Sequence, residues 1–262
     1  DIPRIIWMYW DSGQLNAPPV VRLCIQSWVS KNPDWTVQLL DRKSLGEYTN
    51  LASEIPGWGS LPVQKQTNLL RLQLLLQYGG VWADATLLCL NPLDDWLPKK
   101  PRSGFVVFDL PSHMHRYFAS FFLASIPDNP FFRRWHRQHA KYLSQSPKAM
   151  RFSRKKWLIA NRPFMWTRVG GAIQTLPYFR KKWGFPYFIF HFHANRELLL
   201  NPLSRIRFAL RVKREADIWG YFDSEESALI ALKSRLENGS GTAFKLTHRS
   251  RLPSDVERLL AG

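Results

Sequence analysis

A carboxylate at Asp84 and a hydroxyl at Thr86 stand two residues apart, directly after the run Tyr78-Gly79-Gly80-Val81-Trp82-Ala83. The preceding stretch, Thr67 to Tyr78, is rich in leucine and reads as an apolar helix. Gly79-Gly80 ends it, because glycine accepts the left-handed backbone that closes a helix. Val81 to Ala83 then reads as a short strand, which puts Asp84 just past the strand's C-terminal end. In open α/β sheets, ligands bind outside the carboxyl ends of the strands. A carboxylate there can hold Mn or Mg, hard cations that prefer oxygen ligands, bridging the two phosphates of a nucleotide sugar. Such a cation offsets the charge that develops on a departing diphosphate.

Those residues need a scaffold, and the first ~110 residues supply one by alternating strand and helix patterns. Ile2 to Trp10 reads as a buried first strand, bounded by the turn formers Asp11-Ser12-Gly13. Val20 to Ser30 has helical spacing, Asn32-Pro33-Asp34 makes a turn, and Trp35 to Leu40 is a second strand. Leu87 to Leu90 is an apolar run, and Phe105 to Phe108 is another strand. Such an order implies a mostly parallel sheet covered by helices on both sides. Farther along, Pro130 to Tyr142 and Gly171 to Leu176 read as helical, and Tyr187 to Phe192 as extended. Ser224 to Leu236 reads as a helix with Ser224 as N-cap, Glu225 and Glu226 in its first turn and Gly239 beyond its end. With no internal repeat and no low-complexity linker, one unit over 1–262 is the simplest organisation. The expected division is a core over 1–110 that would bind a nucleotide sugar and a part over 111–262 that would face acceptor or membrane.

Composition narrows the class. The 45% hydrophobic and 22% charged residues are those of a globular chain and exclude disorder. No stretch approaches the ~20 apolar residues of a membrane span, and Asp1-Ile2-Pro3-Arg4 carries no signal-peptide pattern. Cys24 and Cys89 sit among apolar neighbours and read as buried free thiols of a reducing cytoplasm. The net charge of +17 is concentrated: Phe131 to Arg214 holds 20 Lys/Arg against one acid, Glu197. That segment also carries Trp135, Trp157, Trp166, Trp183, Phe185 and Tyr187, read as exposed. A basic, aromatic-rich surface suits an anionic membrane face, a polyanionic acceptor or nucleic acid. A solvated basic face without a partner is the plainer alternative.

The order of motifs resembles glycosyltransferase family 32, and in particular its bacterial capsular polysaccharide synthesis protein branch. That branch reads S-D-x-L-R, a Leu-rich helix, then Y-G-G-V-W-x-D-A-T. Here the two parts stand as Thr67-Asn68-Leu69-Leu70-Arg71 and Tyr78-Gly79-Gly80-Val81-Trp82-Ala83-Asp84-Ala85-Thr86. The opening Ile2-Pro3-Arg4-Ile5-Ile6-Trp7-Met8-Tyr9-Trp10 is similar to the family's I-P-K-I-I-x-x-x-W start, and Ser27 with Asn32-Pro33-Asp34-Trp35 falls where the family has an S…N-P-x-aromatic run. The likeness is dense from Ile2 to Leu93 and thin beyond.

The resemblance implies a GT-A-like fold, a nucleotide-sugar donor (UDP-sugar before GDP-sugar) and retention of anomeric configuration. It assigns metal and ribose contact to Asp84, donor-sugar contact to Asn68 and Arg71, and flanking of the base to Tyr9 and Trp10. A late His that completes metal binding maps onto His248. Two positions depart from the pattern. Thr86 replaces the second Asp of the D-x-D found in many relatives, although D-A-T is usual in this branch, and a hydroxyl is a weaker metal ligand. Asn68 replaces an Asp, so the group can donate as well as accept a hydrogen bond. The implied setting is surface polysaccharide synthesis on a glycan or lipid-linked acceptor, by an enzyme peripheral at the inner face of the cell membrane.

Other candidates remain open. His191 and His193 alternate in Phe190-His191-Phe192-His193, read as extended, yet no carboxylate or Cys stands near them at ligand spacing. Gly170-Gly171 either lets backbone approach a ligand or starts a helix. Asp109 and Asp217 are conceivable nucleophiles without supporting spacing. Two rival readings survive: a catalytically silent scaffold of the same fold, motivated by Thr86 and Asn68, and a basic nucleic-acid-binding protein. The latter lacks any helix-turn-helix, RNP or zinc-finger signature and leaves Tyr78 to Thr86 unexplained.

Overall fold

A computed structural model describes residues 1–109, 117–144, 167–176, 189–210, 218–219, 225–254, 256 and 258. Strands β1 (Ile5–Tyr9), β2 (Thr36–Leu40), β3 (Gly80–Ala83), β5 (Phe105–Asp109) and β6 (Phe118–Ser125) form one sheet in the order β2-β1-β3-β6-β5. β1 pairs in parallel with β2 and β3, while β6 runs antiparallel to both β3 and β5. Four of the five strands therefore point one way, as the alternating pattern implies. A second sheet joins β4 (Leu87–Cys89), β8 (Ala243–Lys245) and β7 (Ile218–Trp219) in the order β4-β8-β7.

The main sheet is covered on both faces, and strand periodicity shows how. Ile6 and Met8 of β1, Val81 and Ala83 of β3 and Val106 and Phe108 of β5 join one buried cluster. Their neighbours Trp7, Tyr9, Trp82, Phe105 and Val107 join the other, because successive strand side chains point to opposite faces. Helix α1 (Pro19–Lys31) packs its Val21, Cys24, Ile25 and Trp28 into the first cluster. The short helices α2 (Leu45–Tyr48) and α3 (Leu51–Glu54) and the longer α4 (Val63–Gln77) cover the second. A one-turn helix α5 (Leu93–Trp96) follows β4. Beyond the sheet lie α6 (Pro130–Leu143), α7 (Arg168–Gln174), α8 (Ile189–Leu200), α9 (Pro202–Ala209) and α10 (Glu225–Glu237).

Side chains from the resembling segments tie these layers together. The Trp28 indole N–H donates to the carbonyl of Leu87 at 2.6 Å, and the Ser27 hydroxyl accepts from the amide of Cys89 at 2.9 Å. Asn32 accepts from the amide of Leu93 at 2.7 Å. Ser27 and Asn32 thus anchor the segment just after Asp84. Both cysteines are buried and unbridged.

Three expectations need correction. The stretch read as extended over Tyr187 to Phe192 begins, from Ile189, a helix. Phe190, His191, Phe192 and His193 are all buried, so their alternation does not mark a wet and a dry face. Trp135, read as exposed, is fully buried on α6. Phe131, Phe132, Trp135, His139 and Tyr142 form that helix's inner stripe, whereas Arg133, Arg137 and Lys141 form its outer one. Gly171 sits inside α7, where a Cβ would meet the Phe192 ring at 2.4 Å, so its glycine serves close packing of α7 on α8. Trp157, Trp166, Trp183, Phe185, Tyr187, Asp217 and Ser224 lie outside the described residues.

Candidate functional site

The site is assembled where β3 ends. Leu69, Leu70, Leu72, Leu74 and Leu75 bury α4 against the sheet, and the helix stops at Tyr78. Gly79 and Gly80 follow with φ of 68° and 91°. A Cβ on Gly80 would lie 2.5 Å from the Ile5 carbonyl oxygen, so the tight entry into β3 requires glycine. The amide of Asp84 donates to the carbonyl of Phe121 at 2.9 Å, which fixes the residue to β6 beyond the last strand pair.

Asp84 is then held from three sides. Its Oδ1 accepts from the Trp82 indole N–H at 2.9 Å and faces Arg71 Nη2 at 3.4 Å. Its Oδ2 accepts from Lys245 Nζ at 3.0 Å, and the same ammonium bonds the Thr86 hydroxyl. The Asp84 side chain is 24% exposed, so the cluster opens to solvent on one side. Burial pushes its pKa upward, but Lys245, Arg71 and the two side-chain hydrogen bonds outweigh it and hold the carboxyl at about 2.

Arg71 stands behind this carboxylate. Its Nη1 donates to the Ser120 carbonyl and its Nε to the Thr67 carbonyl, the latter at 3.3 Å. The guanidinium lies between the rings of Trp82 and Phe190, at 5.1 and 5.5 Å from their centroids. Burial lowers its pKa and Asp84 opposes that shift. The group stays charged, since arginine does not deprotonate in proteins. Every nitrogen of Arg71 is engaged, so in this arrangement it orients Asp84. Asn68 lies half-buried on α4, three residues before Arg71 and therefore on the same helical face.

The remaining expected residues fall at the end of β1. Tyr9 is buried, and its hydroxyl donates to Asp11 Oδ1 at 2.7 Å, while Asp11 pairs with Arg42. Trp10 packs against the exposed ring of His248 at 6.4 Å between centroids. The Trp10 indole N–H is buried with no hydrogen-bond partner among the described residues, an open donor of the kind a ligand satisfies. The structure therefore joins Asp84, Thr86 and Arg71 into one cluster, pairs Trp10 with His248 and gives Tyr9 its own ion network.

Lys245 is the member that sequence reasoning passed over. It ends β8, which pairs with β4 in the register Leu87↔Lys245. The amide of Leu246 donates to the Thr86 carbonyl at 2.9 Å, locking the lysine beside the Asp84 loop. The only local signal is its place in the Phe244 to His248 segment. The pairing that brings it to Asp84 spans 161 residues.

Among the described residues no three or more His, Cys, Asp or Glu gather as a metal set. Both Asp84 oxygens already meet protein donors, and the Thr86 hydroxyl meets Lys245. The residues present thus do not fit a divalent cation beside Asp84 unless Lys245 leaves. His193 faces His139, Nδ1 to Nδ1 at 3.1 Å, inside the second core cluster and apart from any carboxylate set. Asp109 is buried at the end of β5.

Comparisons with known proteins match the dense part of the chain. Among curated proteins, O-glycosyltransferase braB of Annulohypoxylon truncatum is 33% identical over 153 residues, 50% of this chain and 35% of that protein. The initiation-specific alpha-1,6-mannosyltransferase of Candida albicans is 29% identical over 120 residues, 40% of this chain and 31% of that protein. The chain thus spans about a third of the length of these relatives. Among solved structures, the PaToxG glycosyltransferase aligns with 16% identity over 80% of this chain and 82% of that chain, at a TM-score of 0.42. The family description "capsular polysaccharide synthesis protein" matches residues 1–158, more than half of the chain and all of the Asp84 loop. With that span matched, the chain belongs to the capsular polysaccharide synthesis protein family.

Proposed function

We propose that this protein is a glycosyltransferase of GT-A-like architecture that moves a sugar from a nucleotide-sugar donor, a UDP-sugar first, to a glycan or lipid-linked acceptor. The observation that carries the reading is the Asp84–Thr86–Lys245 cluster at the C-terminal end of β3, in a family member whose curated relatives are named glycosyltransferases. A diphosphate leaving group needs positive charge beside it, and the ribose and base need hydrogen-bond and stacking partners. The cluster offers the first, while Asp84 and the open Trp10 indole N–H offer the second. In the transfer, the bond from the anomeric carbon to the diphosphate oxygen breaks and its electron pair leaves with the diphosphate. The acceptor oxygen forms the new bond, and its proton passes to the diphosphate or to solvent. Retention follows if the acceptor enters from the leaving group's face, a route that asks no protein nucleophile of the site.

The acceptor side of the reading draws on α9 and the turn before it. Leu203 and Ile206 of α9 are exposed one turn apart, with Leu210 at its C-cap and Leu200 at the end of α8 exposed as well, beside Arg205 and Arg207. An apolar stripe flanked by arginines is the pattern of a helix that lies in an anionic membrane surface. It supports assembly of surface polysaccharide on a lipid carrier at the inner membrane face.

The test is donor turnover. Purified protein with UDP-, GDP- and CMP-sugars should release free nucleotide from one class, slowly without acceptor, and Asp84→Asn should reduce that release by about two orders of magnitude. Lack of release from every donor, with acceptor extracts present, would favour the silent scaffold instead.

A further inference from the structure

We infer that Lys245 takes the place of a divalent cation, its ammonium receiving the diphosphate of the donor so that nucleotide binding needs no metal. The inference rests on the nucleotide-sugar reading and deepens it. The position expected to hold a metal has Asp84 and Thr86 as its oxygen groups, and the Lys245 ammonium contacts both. A cation of the protein's own thus occupies the place a metal would take. Displacing it would leave the lysine, 20% exposed, without the carboxylate that now pairs it.

Charge at the site points the same way. A lone carboxylate would repel a diphosphate. Asp84 with Arg71 and Lys245 makes a cluster of net charge +1, and Arg71 is buried behind the carboxylate with its nitrogens engaged. Lys245 is then the cation placed toward solvent. An ammonium has three N–H donors. Asp84 Oδ2 and the Thr86 hydroxyl take two, and the ammonium otherwise faces the Phe121 ring at 5.7 Å, a weak contact that a phosphate oxygen would outcompete for the third. The backbone bond from Leu246 to Thr86 and the β4–β8 pairing hold the lysine at this station, so little side-chain ordering remains to oppose binding. His248, the other expected metal ligand, lies with its exposed ring on Trp10, 6.4 Å between centroids. Thr86 gains a reason too: a second carboxylate in its place would turn the cluster from +1 to neutral.

Titration calorimetry of the full chain with UDP and with GDP, each in excess EDTA and in MnCl2, tests this directly. The expected result is that one of the two nucleotides binds in EDTA with a Kd within about threefold of that in manganese. Lys245→Met should weaken that binding in EDTA by at least about tenfold, the loss of one charge-assisted hydrogen bond. Lys245→Arg, which keeps the charge, should recover part of it. A wild type that binds only with manganese overturns the inference and leaves the nucleotide-sugar reading standing. Equal binding by wild type and Lys245→Met in EDTA also overturns it. Binding of neither nucleotide under either condition removes the UDP- and GDP-sugar readings and this inference together. Should Lys245→Met fail to fold, the wild-type comparison and Lys245→Arg still decide.

Discussion

Asp84 is the shared partner of Arg71, Lys245 and Trp82, and on the proposed reading it is also the centre of the chemistry. Arg71 and Lys245 each face it from partly or fully buried positions, so Asp84→Asn leaves two cations with a reduced partner. Removing one member of a buried pair costs roughly 3 kcal/mol. The pH dependence has a definite sign. The folded carboxyl is held at about 2, below the ~3.9 of an unfolded Asp, so its contribution is complete above pH ~4 and is lost as pH falls toward 2. Thermal melts of wild type and Asp84→Asn should differ most at neutral pH and converge by pH ~2. A gap that stays constant across that range would contradict the ion cluster. At this scale the sequence was informative about three of the four members, Asp84, Thr86 and Arg71 but not Lys245. Asp84, Thr86 and Arg71 lie within sixteen consecutive residues, and the resemblance singled each of them out, although their ion pairing is seen only in the structure. Lys245 was not singled out, because β4–β8 pairing is long-range and β8 has only three residues.

The elements that place Asp84 depend on one backbone turn. Gly80 combines φ of 91° with a Cβ position 2.5 Å from the Ile5 carbonyl oxygen. Gly80→Ala should destabilise the fold by at least about 2 kcal/mol, through left-handed strain and the clash. Calorimetric melting several degrees below wild type would bear this out; an unchanged melt would mean that β1 and β3 can separate without cost. β1, β2, β3, α1 and α4 follow the sequence expectations within a few residues, because each is a local apolar pattern. The one-turn helices α2, α3 and α5 are too short to show a period and were not expected. β6 escaped notice: Phe118 to Ser125 is apolar on both faces, so it shows no alternation, and it is buried between β3 and β5. The same loss of a polar face made α8 look extended at its start.

At the scale of the molecule, charge and layers are segregated. Helices cover both faces of the sheet, and the positive excess falls in the segment that holds α6 to α9. Among the described residues no helix is long and apolar enough to cross a membrane. The exposed leucine–isoleucine stripe of α9 instead suits shallow insertion. Replacing Leu203 and Ile206 by Glu should lower binding to vesicles containing anionic lipid at least tenfold in a sedimentation assay, and should leave binding to neutral vesicles at its weak baseline. Undiminished sedimentation would remove the membrane-facing role of this helix. The basic excess was legible from composition, but the burial of Trp135 was not. A helix with cations on one stripe and aromatics on the other has the same composition as a mixed, exposed surface.

The central claim is that the Asp84 cluster is a nucleotide-sugar site, and a melting-temperature panel tests it most directly. UDP-, GDP- and CMP-sugars would be compared on wild type and Asp84→Ala, with and without manganese, since a ligand that binds only the folded state raises the melting temperature. One nucleotide class should stabilise the wild type, by about 2.7 kcal/mol at a hundredfold excess over Kd, and leave Asp84→Ala unmoved. No shift with any nucleotide, or the same shift in the variant, would contradict the assignment of this site.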